Sequence, residues 1–568
     1  MAKTTKTGIF SNIKGDLTGG ITAAIIALPM GLAFGLQSGL GAEAGLYTAI
    51  ILAVVASIIA GTKTLISDPT GPMTIVAASI VAAALEPEGG GMVVVICTFA
   101  LAGIFQIVFG FIKVAQYVKY ISYPVLSGFM GGIGIIIILF QWHSFFGENL
   151  KEEMIKNGEG AASGVLDIIS HLPDPIVHHH WSAIILGALT VGMIYLLPLI
   201  SKKIPAGLVA LVIGTLISFG IEKIYTGKDW VFKTIGDVGN GMPDTLPDFQ
   251  IAVLLDFDIS KLTIIVVGAL TLAGLGTIDT LLTSVVADNV TKTKHNGNRE
   301  LMGQGLGNFL AALFGGIPGA GSTTGTVANI NSLGKTNLSG IIKGLVLLLF
   351  LIPALGKYIE LVPIPVLSAL LITVGIGIID FTGIKRLIKI RNSDTLVLAL
   401  VILLTVFADL LVAVGVGMVL SSFFFMQRMG VIVDQQSKKG SLAEIGKKLK
   451  IPESIKDRVY NYELDGPLFY GFSDQFKAQA EAIKDKDAVI INLSSVPYID
   501  ASGIYVLEEV ISNFKDKGIE VVLVGVKDHI FKQFENLKVI PETLPEENAY
   551  NSVRAGVKYL KNKLENEW

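Results

Sequence analysis

Charged side chains are scarce in this sequence. Lys, Arg, Asp and Glu together make up 16% of its 568 residues, and 51% of the residues are hydrophobic, whereas soluble domains carry about 25% charged residues. This composition excludes an ordinary water-soluble globular protein. A dense basic stripe is also lacking, and with a net charge of -3 the chain has no electrostatic footprint for nucleic acid. We therefore exclude a nucleic-acid partner.

Cysteine is almost absent as well. The single cysteine, Cys97, lies in an apolar run, so neither a disulfide framework nor a Cys-rich metal site can form, and we expect a core residue. No nucleophile and base pair and no phosphate-binding loop stands out, so an enzyme is not predicted.

Apolar runs long enough to cross a hydrocarbon layer, about 20 residues each, recur from residue 17 to residue 430. With two interrupted pieces near 68–85 and 318–332, they predict about fourteen membrane segments. Lys and Arg fall in alternate connections, which places both termini in the cytoplasm. We predict a cytoplasmic segment 1–16, a transmembrane domain 17–435 and a cytoplasmic region 436–568, in the plasma or inner membrane of the cell.

The membrane region contains an internal repeat. PVLS occurs at 124–127 and again 241 residues later at 365–368, each time at the start of an apolar span. The two interrupted pieces are separated by a similar distance. Seven spans in each half would give the halves opposite orientations, and this inverted-repeat plan is typical of secondary transporters.

Both interrupted pieces contain residues that break a helix. The first reads SDPTGPM at 67–73 and the second PGAGSTTGT at 318–326. Proline suits the first turn of a helix and hydroxyl side chains cap helix starts, so each piece predicts a helix that begins within the membrane, the first near Thr74. Two such ends facing each other would direct unpaired N–H groups at one point. We interpret this point as an anion site, because loops at the membrane surface, the alternative, would not need matching positions in the repeat.

Asp279 is the single ionisable residue in the apolar span 262–287. A carboxylate inside a span is costly unless it has a partner, and no Lys or Arg in the neighbouring segments is evident as that partner. We therefore favour a coupling ion, sodium or a proton, over neutralisation by a protein cation. Hard ions need oxygen ligands, and further oxygens could come from Thr283, Gly321, Ser322 and Thr323.

Other polar groups in the membrane region are given no transport role. Asp380 and Asp409 lie near span ends, where a helix-capping or loop-facing carboxylate is the simpler interpretation. The run of three histidines at 178–180 is expected to be a solvated loop.

The carboxyl-terminal region has a different pattern. Ala488–Leu493 and Ile519–Val524 read as buried strands with helical periodicity between them, which predicts an α/β domain. Between the strands, DASG at 500–503 falls where a strand ends and a helix begins near Ile504. Ser502 is there either as a plain N-cap or as a regulatory, phosphorylatable serine.

These features together resemble the sulfate permease/solute carrier 26 family of anion transporters. Its members join a polytopic membrane domain of about fourteen segments, two inverted seven-span repeats arranged as core and gate, to a carboxyl-terminal α/β STAS domain. The likeness covers nearly the whole chain and rests on ALPMGLAF at 27–34, PTGP at 69–72, GAGST at 319–323 and DASG at 500–503. It implies an elevator-like mechanism and a homodimer.

Within the family, GTIDTLLT at 276–283 is similar to the branch that carries bicarbonate with sodium in cyanobacteria. By that likeness the sodium ligands are Asp279, Thr283, Gly321, Ser322 and Thr323. The substrate-binding residues are Thr70, Gly71, Gly321, Ser322 and Thr323.

Two positions depart from the family pattern: Met30 stands where many members have glutamine, and Gly325 where many have arginine. Without that arginine a fixed positive charge near the anion is missing, which favours a bound cation over simple exchange.

The predicted function is sodium-coupled uptake of bicarbonate or a similar small inorganic anion, with sodium as a coupling ion and no prosthetic group. Proton-coupled transport or exchange of sulfate, chloride or a dicarboxylate stays open within the same class. A membrane receptor or scaffold that signals through Ser502 stays open outside it. The predicted partners are a small anion, membrane lipid, a second copy of the chain and a regulatory protein at the STAS domain.

Overall fold

The computed structural model describes residues 8–148, 150, 165–177, 180–201, 205–224, 232–237, 247–255, 258–390, 392–408, 410–441 and 455–566. His178, His179 and Asp409 lie outside these residues. The chain divides into two compact units, Met1–Met418 and Val419–Trp568.

The first unit is helical, as the long apolar runs require, and contains one pair of very short strands. Its main elements in chain order are α1 (Ile13–Gln37), α2 (Ala42–Ile59), β1 (Ser67–Pro69), α3 (Gly71–Ala84), α4 (Gly91–Phe111), α5 (Tyr123–Phe145), α6 (Trp181–Ile200), α7 (Ala206–Ile224), α8 (Leu262–Thr291), α9 (Gly297–Leu313), β2 (Gly319–Gly321), α10 (Thr323–Asn331), α11 (Leu338–Leu348), α12 (Pro353–Glu360), α13 (Ile364–Ile378), α14 (Phe381–Ile390) and α15 (Ser393–Phe407). A further helix, α16 (Leu410–Gln436), begins in the first unit and ends in the second.

Helix starts follow from local sequence. Pro124 and Pro365, the first residues of the two PVLS motifs, lie in the first turns of α5 and α13, where the missing N–H of proline would have no intrahelical acceptor. Asn296 caps α9 by accepting a hydrogen bond of 3.1 Å from the Arg299 N–H. Asp380 accepts from the Gly383 N–H at the start of α14, so its predicted capping role is confirmed.

Eight helices within the described residues are long and apolar enough to cross a membrane, or nine if the bent pair Leu338–Leu351 and Ala354–Glu360 is one span. Three shorter apolar helices add to them: Gly71–Ala84, Ala206–Ile221 and Ser393–Phe407. The count of about fourteen segments stays a prediction. Cys97 is buried, as expected for a core residue.

The helices of the first unit pack in two groups. In the core group, α1, α2, α4, α8, α9 and α11 pack on one another around β1, β2, α3 and α10. In the gate group, α5 packs on α13 and α15, and α6 packs on α7 and α13. The groups touch where α3 meets α5 and where α1 meets α7 and α13.

The second unit is an α/β domain around one five-stranded sheet with order β3-β4-β5-β6-β7. Its strands and helices are β3 (Lys438–Ser441), β4 (Val459–Asp465), α17 (Tyr470–Glu481), β5 (Ala488–Ser495), α18 (Ala501–Asp516), β6 (Glu520–Val524), α19 (Asp528–Asn536), β7 (Ala549–Tyr550) and α20 (Val553–Asn566). The β3-β4 pair is antiparallel and the others are parallel. Both predicted strands are confirmed, while β4 was missed.

This sheet is covered on both faces. Along β5, Val489 and Ile491 enter the cluster formed with α17, α18 and α19, and Ala488 and Ile490 enter the cluster formed with α20. Side chains alternate between the faces of a strand, so a strand buried on both sides reads as a continuous apolar run. That is why the sequence pattern located β5 and β6.

Candidate transport site

The two interrupted pieces pair directly with each other. Strand β1 runs antiparallel to β2, with Ser67 opposite Gly321 and Pro69 opposite Gly319, and the Ser322 N–H donates a 2.8 Å hydrogen bond to the Ile66 carbonyl. One residue beyond each strand a helix begins, α3 after Thr70 and α10 after Ser322. Thr70 and Ser322 are buried, at 8% and 6% exposure. The breaks are therefore in the protein interior and not in surface loops.

The helix starts agree with the predicted caps. Ser322 caps α10 by accepting from the Gly325 N–H at 3.2 Å, while Thr70 occupies the cap position of α3 without a side-chain bond. Helix α3 begins at Gly71, three residues earlier than the predicted Thr74. The first N–H groups of a helix have no intrahelical acceptor, and no acceptor within the described residues engages those of Gly71, Met73, Thr323 and Thr324.

Helix α8 brings the two helix starts to one face. Thr283 Oγ1 donates a 2.8 Å hydrogen bond to the Gly321 carbonyl and lies 2.8 Å from Thr323 Oγ1. One turn earlier, Thr280 Oγ1 accepts from the Gly321 N–H at 3.1 Å. Residues four apart on a helix lie on the same face, about 6 Å apart along the axis. The oxygens of Thr283, Gly321 and Thr323 thus form a cluster one turn away from Asp279.

Asp279 lies on this face of α8, near the side chain of Thr70. Neither Asp279 Oδ2 nor Thr70 Oγ1 has a hydrogen-bond partner within the described residues, although both atoms are shielded from solvent. An unpartnered buried carboxylate oxygen is rare because its desolvation is costly. A bound cation at Asp279 would supply the partner that this oxygen lacks.

The short strands are held by side chains that sequence analysis did not single out. Asn308 of α9 accepts from the Gly319 N–H at 2.8 Å and donates to the Gly319 carbonyl at 2.9 Å, so its amide acts as a further strand partner for β2. Thr326 Oγ1 accepts from the Ile66 N–H at 3.0 Å. These bonds satisfy backbone groups that would otherwise be unpaired at membrane depth.

A buried ion pair corrects the assumption that the segments near Asp279 contain no cation. Lys343 of α11 has no exposed surface and forms an ion pair with Asp68 of β1. Its ammonium also donates to the Ser67 carbonyl at 2.9 Å and to the Ala49 carbonyl at 2.8 Å. Lys343 therefore neutralises Asp68 and leaves Asp279 without a cationic partner among the described residues. A lone lysine in the apolar run 338–356 of the sequence was the signal for this pair.

Gly325, where the sequence departs from the family pattern, lies beside the same pair. A methyl group built on Gly325 would lie 3.3 Å from Asp68 Oδ2, so an arginine at this position would begin beside the Asp68 carboxylate. In this chain Asp68 already has Lys343. The positive charge comes from α11, and none is fixed on α10 at Gly325.

In the second unit the DASG motif differs from its predicted form. Helix α18 begins at Ala501, three residues before the predicted Ile504, and its N-cap is Asp500, which accepts from the Gly503 N–H at 2.7 Å and from the Tyr470 N–H at 3.1 Å. Ser502 is exposed in the first turn. The prediction that Ser502 is the cap is wrong, because the carboxylate two residues earlier reaches the free N–H groups first.

Replacing Asp500 by alanine is expected to loosen the first turn of α18. Loss of an N-cap costs about 1 kcal/mol, so amide hydrogen exchange in peptides of α18 should accelerate about fivefold. Mass spectrometry on the full-length protein measures this rate. Ser502→Ala is the matched control and should leave the exchange unchanged; equal acceleration by both variants would contradict the cap assignment.

A bundle of membrane-length apolar helices, with two paired helix starts in its interior and beside them a carboxylate oxygen without a hydrogen-bond partner among the described residues, defines a multi-pass membrane transporter. The chain belongs to the sulfate permease family, a family of anion transporters: the family profile matches residues 13–401. The STAS domain profile matches residues 450–555.

Named relatives agree with this assignment. The bicarbonate transporter BicA of Synechocystis sp. is 38% identical over 502 residues, which cover 86% of this chain and 84% of the relative. The putative sulfate transporter YvdB of Bacillus subtilis is 30% identical, over 75% of this chain and 76% of the relative. The solved transmembrane domain of a cyanobacterial BicA superposes with a TM-score of 0.62 at 41% identity, covering 71% of this chain and 98% of that domain.

Proposed function

We propose that this chain takes up bicarbonate, or a similar small inorganic anion, together with sodium. The observation that carries the proposal is that two helix starts meet on one face of α8 beside Asp279, whose buried Oδ2 has no hydrogen-bond partner among the described residues. The 38% identity to a named bicarbonate transporter supports bicarbonate as the first substrate to test.

Sodium would be held by oxygens around Asp279. Thr283 Oγ1 already lies 2.8 Å from both the Gly321 carbonyl oxygen and Thr323 Oγ1, and Ser322 is the adjoining cap residue. Carboxylate, hydroxyl and carbonyl oxygens are the ligands that hard cations prefer. A bound sodium would neutralise Asp279 and place a positive charge beside the helix starts.

The anion would be held by backbone N–H groups with that sodium nearby. The free N–H of Gly71 at the start of α3 and the hydroxyl of Thr70 just before it would contribute, and the first turn of α10 after Gly321 and Ser322 would add the N–H of Thr323. Helix amino termini attract anions through these N–H groups and the helix dipole. Because the anion gains from sodium and sodium from the anion, the two affinities would be coupled and the fluxes linked.

We also propose how the protein moves, assembles and is regulated. The separate packing of a core group, which holds the site, and a gate group supports an elevator-like movement of one against the other. The family resemblance adds a homodimer in the plasma or inner membrane, with both termini cytoplasmic. The exposed Ser502 is the proposed phosphorylation site for a regulatory partner, since a phosphate is stabilised at a helix amino terminus.

The test is a tracer panel with purified full-length protein in liposomes. Radiolabelled bicarbonate, sulfate, chloride and succinate are offered with an inward sodium gradient or with choline at the same pH. We expect bicarbonate uptake that depends on sodium and is severalfold faster than that of the other anions. Equal uptake in choline would reject the coupling. No uptake of any of the four anions would reject transport of these solutes and favour a receptor or scaffold.

A further inference from the structure

The first turn of α3 touches the gate group at Gly71. The backbone of Gly71 is not in the left-handed region, so glycine is not needed there for its conformation. A methyl group on this residue would lie 2.6 Å from Cδ1 of Ile137 in α5 and 3.5 Å from Cδ1 of Ile378 in α13. The flexible end of Ile137 would have to shift to admit the methyl group, which would also be in ordinary van der Waals contact with Ile378.

Ile137 and Ile378 are equivalent residues of the internal repeat. When 124–138 is aligned with 365–379 at the PVLS offset of 241 residues, eight of fifteen positions are identical. The two isoleucines form one identical pair. Gly134 and Gly375, one helical turn earlier, form another. The two halves therefore present the same apolar residue to the start of α3.

The glycine pair fixes where α5 and α13 cross. A methyl group on Gly134 would lie 2.6 Å from the Gly375 carbonyl oxygen, and one on Gly375 would lie 2.9 Å from the Gly134 carbonyl oxygen. The helices thus touch backbone to backbone at equivalent residues. In an inverted repeat such residues meet on the pseudo-twofold axis, which lies in the membrane plane, so this crossing marks the middle of the bilayer.

One turn beyond the crossing, the wall that faces α3 is apolar. Ile137 of α5 has 0% exposure and its neighbour Ile136 has 1%, while Ile378 of α13 is partly exposed. Methyl groups offer a hydrated anion no hydrogen bonds in exchange for its water, and desolvation without replacement is costly. An anion at the N–H groups of α3 could not cross this wall by itself.

We propose that Ile137 and Ile378 form a fixed apolar seal at the bilayer middle, against which the start of α3 slides, and that Gly71 is glycine because of this contact. The inference rests on the proposed function and adds two positioning residues to it. The seal separates the two sides of the membrane while the core group carries the anion past it.

A volume exchange tests the contact. Gly71→Val adds three carbons and keeps the backbone N–H, so maximal sodium-dependent uptake should fall at least about tenfold while KM changes less than about threefold. Ile137→Ala removes three carbons, and the double variant should recover to about half the rate of Ile137→Ala alone or better. Ile136→Ala, an equally buried neighbour, is the matched control and should not rescue Gly71→Val. Absence of rescue, or equal rescue by the control, would overturn the contact.

A leak measurement tests the seal. In liposomes with a potassium diffusion potential, the Ile137→Ala/Ile378→Ala variant should pass chloride without sodium at least about tenfold faster than the unchanged protein. Ile136→Ala should show no such leak. A double variant as tight as the unchanged protein would refute the seal.

Anion uptake and the contact between Gly71 and Ile137 can be tested separately. If the unchanged protein takes up no anion in a sodium gradient, the proposed function is wrong, yet unfolding midpoints of the same purified variants still report the contact. A midpoint that falls in Gly71→Val and returns with Ile137→Ala supports it, and one that does not return refutes it. The chloride leak likewise needs no sodium-coupled uptake.

Discussion

Replacing Asp279 by asparagine is expected to abolish sodium-dependent anion uptake. The substitution keeps the size of the side chain and removes its charge. Opposite unit charges about 4 Å apart attract by about 4 kcal/mol at an effective dielectric constant near 20, so the apparent sodium affinity should fall about a thousandfold. The measurement is the sodium dependence of tracer bicarbonate uptake in liposomes.

Asp258→Asn is the matched control for this experiment. Asp258 is exposed and caps a short turn just before α8 by accepting from the Ser260 N–H at 2.9 Å, a bond that asparagine can also accept. Uptake in this variant should follow the unchanged protein. If Asp279→Asn retained the original sodium dependence, Asp279 would not be the cation ligand, whatever anion is carried.

The second large effect is expected at the Lys343–Asp68 pair. Removing one partner of a buried ion pair costs about 3 to 5 kcal/mol, because the other charge stays buried without compensation. Lys343→Met should therefore leave little folded protein after purification. Lys343→Met combined with Asp68→Asn removes both charges and should be clearly more stable than Lys343→Met alone, with a residual loss of about 1 to 2 kcal/mol for the missing bonds to the Ser67 and Ala49 carbonyls.

Thermal unfolding of the purified variants measures this difference. The exposed pair of Lys477 and Glu509 on the STAS domain is the comparison, and removal of both charges there should change stability by at most about 1 kcal/mol. If the double variant at 343 and 68 were less stable than Lys343→Met alone, mutual neutralisation would not explain why these two charges are buried.

Much of the membrane fold follows from local sequence. Long apolar runs must form helices in a bilayer because every backbone N–H and carbonyl needs a partner there. Pro124 and Pro365 mark helix starts for the reason that proline lacks an N–H. Within the STAS domain, β5 was found from an unbroken apolar run, whereas β4 was missed because only one of its faces is apolar throughout.

Contacts between residues far apart in the chain could not be predicted from the sequence. Sequence analysis overlooked Lys343 and gave Asp68 no role, and it could not show that the two charges neutralise each other across 275 positions of chain. Asn308 is an ordinary polar residue in its helix, and only the pairing of β1 with β2 makes it a strand partner. Asp500, and not Ser502, caps α18, since the direction of the backbone decides which side chain reaches the free N–H groups.

The sequence by itself determined that this is a membrane protein with a soluble α/β domain, that it contains a repeat, and that two helices begin inside the membrane region, because hydropathy, periodicity and proline act over a few residues. Only the tertiary structure decided which groups are left unpaired where those helices start. Asp68 pairs with Lys343, whereas Asp279 has no cationic partner in the part of the chain that the structure describes, and whether a buried charge is compensated depends on side chains from other helices. The proposed cation site therefore depends on the packing of α8 against α3 and α10.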